Sequence, residues 1–141
     1  MKNLMCRFLF FLLAISLLFT LSSCAGNISD DEARVCAEDF INALEVQNYD
    51  RAERLLHPES KIDVAYFAQM ADETSNLHFA GGVTVEEITV TKTSIYSGSE
   101  QSTHKILSVT LLANGTRRVL EMHLLKNRAG FGIYTVDIRG N

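Results

Sequence analysis

Positive charge is scarce in this chain. Its 13 Lys and Arg stand against 17 Asp and Glu, a net charge of −4 with the histidines neutral. No basic stripe concentrates the cations, and a nucleic-acid binder needs one to match a phosphate backbone, so that class is excluded. The same balance keeps the chain from lying flat on an anionic bilayer by charge. Long apolar runs are also missing: Phe8 to Phe19, broken only by Ser16, falls short of the roughly 20 residues a spanning helix requires. The four histidines, His57, His78, His104 and His123, lie far apart with no His-x-x-x-His or Cys/His pairing, which argues against a zinc site. No Gly-x-Gly-x-x-Gly, P-loop or Gly-x-Ser-x-Gly pattern occurs. The expectation is a chain with no metal, no cofactor and no assigned catalytic residue.

What is present starts at the N-terminus. Lys2 and Arg7 precede the short apolar run, as in an export signal. Leu21-Ser22-Ser23-Cys24-Ala25-Gly26 follows, and this stretch resembles the lipobox of bacterial lipoproteins. The resemblance implies that residues 1–23 are a signal peptide removed by cleavage before Cys24. It implies further that the Cys24 thiol carries lipid, with palmitate-type acyl chains. Each buried methylene contributes about 0.8 kcal/mol, so two or three chains hold a protein stably on a membrane. Cys24 is thus expected to be an anchor on the extracytoplasmic side of the cell membrane. Residues 24–141 would keep eleven basic and all 17 acidic side chains, a net charge of −6. With Cys6 removed and Cys24 lipidated, Cys36 is left alone, so no internal disulfide can form. Its position on the apolar side of a helix marks it as a small core residue.

Residues 24–29 read as a short lipidated tether, of which Ala25–Ile28 span roughly 14 Å fully extended. Residues 30–141 read as one α+β domain. Ser29 and Glu32 form a capping box with Asp30 and Asp31 in the first turn. Ala33, Cys36, Ala37, Phe40, Ala43 and Leu44 then recur at helical spacing, predicting an amphipathic helix over about 30–47. Asn48-Tyr49-Asp50 reads as a break, and Arg51–Leu56 as a short helix that Pro58 stops. Ser60 and Asp63 signal a third helix through about Ala71, with Ile62, Tyr66, Phe67 and Met70 facing inward. Residues 72–82 read as loop.

From Val83 the period changes to 2. A first strand runs to Tyr96 with a bulge around Glu86-Glu87. Asn114-Gly115 signals a hairpin that pairs Ala113 with Thr116, Leu111 with Arg118, Val109 with Leu120 and Leu107 with Met122. Arg128-Ala129-Gly130 reads as a three-residue turn, setting Leu124 opposite Tyr134, Met122 opposite Val136 and Leu120 opposite Ile138. One face is then apolar across three strands.

The segment CAEDFINALEVQNYDRAERLL and the closing FGIYTVDIRG resemble the opening helices and last strand of small exported NTF2-like (cystatin-like) lipoproteins. That resemblance implies N-terminal helices, one of them long, packed on a curved antiparallel sheet of about four strands, a cone with space for a pocket. Phe40, Tyr66, Met70, Met122 and Tyr134 are the candidate pocket lining. An apolar cleft with so few polar groups suits a small apolar ligand or nothing at all, a solid core being the expected reading, and the outer face suits an envelope protein partner. The best expectation is a non-enzymatic interaction or small-ligand-binding module. The alternative is a small lyase- or isomerase-like enzyme, with His78 and Asp63 as its candidate groups. Glu121, Asp137, His123 and Ser108 should cluster on the opposite, solvent-facing side of the sheet. Val119, Leu112 and Ile106 interrupt that polar face and offer a pairing surface.

Overall fold

The computed structural model describes residues 26–139. The expected signal at 1–23 and the expected lipidation at Cys24 lie outside the described residues. Three helices come first, α1 (Asp30–Glu45), α2 (Tyr49–Glu53) and α3 (Val64–Ser75), followed by a 3-10 turn at Phe79–Gly81. Four strands complete the α+β fold: β1 (Val83–Tyr96), β2 (Ser102–Ala113), β3 (Thr116–Asn127) and β4 (Gly130–Arg139). They form an open antiparallel meander in the order β1-β2-β3-β4.

The local chemistry explains each helix. The Ser29 hydroxyl accepts the Glu32 N–H at 3.0 Å, and Asp30, Asp31 and Glu32 place negative charge at the positive end of the α1 dipole. α1 buries Ala33, Cys36, Ala37, Phe40, Ile41, Ala43 and Leu44 against the sheet. α2 starts before its expected position because Asn48, read as part of a break, is its cap: the side-chain oxygen accepts the Arg51 N–H at 3.1 Å. Asp63 caps α3 by accepting the Tyr66 N–H at 2.9 Å, while Ser60 donates instead to the Tyr134 carbonyl at 2.9 Å. α3 continues beyond Ala71 to Ser75 and ends on Asn76 in the left-handed conformation.

The inward set of α3 differs from expectation. Its buried stripe is Val64 and Ala71, joined by half-buried Phe67 and Ala68. Phe67 packs beside Phe40 and Phe79, at centroid distances of 6.4 and 6.2 Å. An i, i+3, i+4, i+7 stripe centred on these residues carries Tyr66 outward, 62% exposed, and leaves Met70 on its flank, half-buried.

In the sheet, the β2–β3 register is the expected one through Ala113–Thr116, Leu111–Arg118, Val109–Leu120 and Leu107–Met122. β1 carries the expected irregularity between Val85 and Glu87 and a second between Val90 and Lys92. β4 departs from expectation at its start. The turn is two residues, Arg128-Ala129, closed by the Asn127 side-chain oxygen accepting the Ala129 N–H at 2.8 Å. A bulge between His123 and Leu124 then restores the expected pairs Met122–Val136 and Leu120–Ile138. Leu124 therefore faces Ile133, which is fully buried, and Tyr134 is turned out to 37% exposure.

The cause lies in the chain after α2. The Ile133 N–H donates to the Leu55 carbonyl and the His57 N–H donates to the Ile133 carbonyl, both at 2.9 Å, which makes a one-bridge parallel extension of the sheet. A Cβ on Gly132 would lie 2.5 Å from the His57 nitrogen, so only glycine lets the two backbones meet. Between α1 and the sheet the space is filled. Phe40, Leu107, Val109, Leu111, Leu120, Met122 and Leu124 have no solvent-accessible surface, even toward the interior. At these positions helix and sheet meet in a solid core.

Candidate functional site

Packing starts earlier than the expected tether boundary, at Ile28, which is fully buried. Two residues on, Asp30 pairs with the Lys105 ammonium, which also donates to the Thr93 hydroxyl at 3.2 Å. Lys105 is 5% exposed on the apolar face of β2, in the row that holds Leu107, Val109 and Leu111. An ammonium there requires a partner. The hydrogen bond and then the charge of Lys105 hold the Asp30 carboxyl below its ordinary value of 3.8. Lys126 adds a second, looser pair with Glu32 at 3.6 Å. The sequence reading passed over Lys105. Strict alternation from Leu107 would have found it, since residue 105 must share that face.

The opposite end of α1 is open. Leu44 and Gln47, Tyr49, the α3 residues Ala65, Ala68, Gln69 and Asp72, and the turn at His78 and Phe79 border a groove of about 720 Å³, with Asn114 at its side. Leu44, Ala65, Ala68 and Phe79 give its lining apolar groups. Gln47, Gln69, Asn114, Asp72 and His78 add amides, a carboxylate and an imidazole. Among the candidate lining residues from the sequence, Phe40 and Met122 are in the packed core, and Tyr66, Met70 and Tyr134 are not among those bordering this groove.

His78 does face the groove. One ring nitrogen pairs with the Asp72 carboxylate and the other lies 2.8 Å from the Asn76 side-chain oxygen. Both members of the His78–Asp72 pair are about half exposed, so water reaches the pair freely. Asp63, the other candidate, is exposed and caps α3. The structure therefore separates the two.

On the outer face of the sheet Glu121 lies opposite Asp137 and Ser108, as expected, and His123 opposite Thr135. Glu121 is already engaged: the His123 ring nitrogen lies 3.0 Å from one oxygen and Arg139 pairs with the other. Burial, then the charges of His123 and His57, hold His104 below its usual value. The His57 ring, buried behind β4, accepts the Glu59 N–H at 3.1 Å and lies 3.0 Å from the Asn127 side-chain oxygen. His57 therefore ties the Leu55–Pro58 segment to the β3–β4 turn. Cys36 is buried, and its thiol is pushed up to about 12 by burial, with Asp39 and Glu32 adding to it. Among the described residues no three His, Cys, Asp or Glu side chains converge to hold a metal ion, and no helix is long and apolar enough to cross a membrane.

The sequence matches no family model, and comparisons with curated proteins and with solved structures found no match either. The functional reading rests on the residues and their geometry.

Proposed function

We propose that this chain is an extracytoplasmic lipoprotein of the NTF2-like kind, held on the membrane through Cys24, that binds without catalysing. Its binding site is the groove between the end of α1, α3 and the 3-10 turn, and its ligand is a small molecule or partner side chain with an apolar body and a polar edge. The observation that carries the reading is the groove itself: about 720 Å³ bordered by apolar and hydrogen-bonding groups, beside a core with no room inside it. The anchor rests on the sequence around Cys24.

Two variants test the two halves. Cys24→Ser should leave the membrane fraction with its circular dichroism unchanged, and full membrane retention of that variant overturns the anchor. Ala68→Trp fills the groove from α3. The wild-type chain should release a small molecule on denaturation and the variant none, whereas equal release from both overturns the groove as the site.

A small enzyme is the second reading, supported by the place of His78 and Asp72 at the groove. It is the weaker one. Both His78 nitrogens already have partners, and an exposed pair lacks the water exclusion that gives acid–base groups their leverage.

A further inference from the structure

The β1–β2 hairpin outruns the helix that packs on it. β1 has 14 residues and α1 has 16, so at about 3.3 Å per strand residue and 1.5 Å per helix residue the strand is roughly twice as long. The two elements run in opposite directions. Gly82, before β1, lies beside Glu45 at the end of α1, while Thr93, near the end of β1, joins Asp30 through Lys105. Beyond that level the hairpin continues through the pairs Ile95–Thr103 and Tyr96–Ser102 and a five-residue loop. Ile95 is 52% exposed on the side of α1, and Tyr96 is 56% exposed on the other. Among the described residues they are the only two neighbours in sequence among the exposed large apolar side chains.

The chain toward Cys24 leaves from the same end. Ile28 is fixed in the core, so Cys24 can lie no more than about 14 Å from it. That reach is comparable to the overhang of the hairpin. The geometry points to a second membrane contact: the Ile95–Tyr96 tip enters the headgroup layer of the bilayer that holds Cys24, a reading that rests on the proposed lipid anchor. Charge does not drive it. Lys105 pairs with Asp30, Lys126 with Glu32 and Arg128 with Glu100, and the exposed Asp31 stands beside them, so these groups give the end no excess of positive charge. An isoleucine and a tyrosine, one apolar and one suited to the membrane–water boundary, make the contact instead. The domain then stands with α1 steeply inclined to the membrane and the groove at its far end.

The chain contains no tryptophan, so single tryptophans report without background. Full-length Tyr96→Trp, Ile95→Trp and Val46→Trp proteins are made with the native N-terminus and reconstituted in vesicles of phosphatidylethanolamine and phosphatidylglycerol carrying dibrominated acyl chains. Val46, at the far end of α1 and 67% exposed, is the control. With acyl mass on Cys24, the bromines should quench residues 95 and 96 at least twofold more than residue 46, and 0.5 M salt should leave the difference in place. Equal quenching at all three positions in lipidated protein overturns the contact and leaves the anchor standing. Protein without acyl mass on Cys24 overturns both.

Discussion

The two ends of α1 are built for opposite tasks. At its start, Ile28, Ser29 and Asp30 are locked down by burial, by a capping hydrogen bond and by the Lys105 ammonium. At its end, Leu44 and Gln47 border an open groove whose other wall is the short α3. Both ends share the same middle, the buried Phe40 and Ile41. Under the proposed anchor a closed start would give the tether no slack inside the fold, and an open end would leave polar groups in reach of a ligand. The locked start and the open groove lie about 24 Å apart, the length of one 16-residue helix.

The largest effect comes from removing what the two ends share. Phe40→Ala should cost about 3–5 kcal/mol in urea unfolding, since a buried aromatic leaves a cavity that the packed sheet cannot close. A loss below about 1 kcal/mol would show the middle to be loosely packed, and the comparison would lose its frame.

Gly132→Ala comes next, because its Cβ would meet backbone atoms of Leu55, Leu56 and His57 at 2.5–2.7 Å. It should cost about 2 kcal/mol in the same assay, in the range of other overpacking changes. Its chemical shifts should move most around residues 55–58 and 131–134, with neither end of α1 perturbed.

The closed end alone is probed through Asp30. A carboxyl held below its unfolded value contributes stability above that value and loses it as pH falls through the lowered one. The wild type should therefore lose heat stability as pH drops from about 4 downward, beyond what its other carboxylates explain. Asp30→Asn should melt lower than wild type at pH 7, and the gap should close toward pH 2. A gap that stays constant with pH would mean that the Lys105 pairing contributes nothing.

The smallest effect concerns the interior beside the closed end. Cys36, with its thiol pushed up to about 12, should not react with a disulfide reagent at pH 8 in the folded protein. It should react fully in denaturant. Rapid labelling of the native chain would place an opening in the α1–sheet seam.

Much of the sheet was legible because two kinds of signal agreed. Asn114-Gly115 fixed the β2–β3 turn, and the apolar rows of Leu107, Val109 and Leu111 with Leu120 and Met122 fixed the register. At β4 the two agreed and were both off by one residue at the start of the strand, where the turn is two residues long and a bulge follows. The three-residue reading of Arg128-Ala129-Gly130 and the apolar row together placed Tyr134 inward, opposite Leu124. The real constraint was non-local, the Leu55–His57 backbone crossing Gly132, and periodicity within one strand carries no trace of it. Around α3 Ile62 and Phe67 pack on the core as expected, and Tyr66 does not. Phe67 sits between Phe40 and Phe79, and the stripe is turned to Val64, Phe67, Ala68 and Ala71. The groove was the least legible feature. It is assembled from four separate segments, and only His78 among them carried a chemical signal on its own.

The most direct measurement is a native mass spectrum of the full chain taken from its own organism and released from membranes in mild detergent. The account predicts a chain that starts at Cys24, carries acyl mass there, and holds a further small mass that leaves on denaturation. A bare chain with a free Cys24 thiol and no bound mass would contradict it.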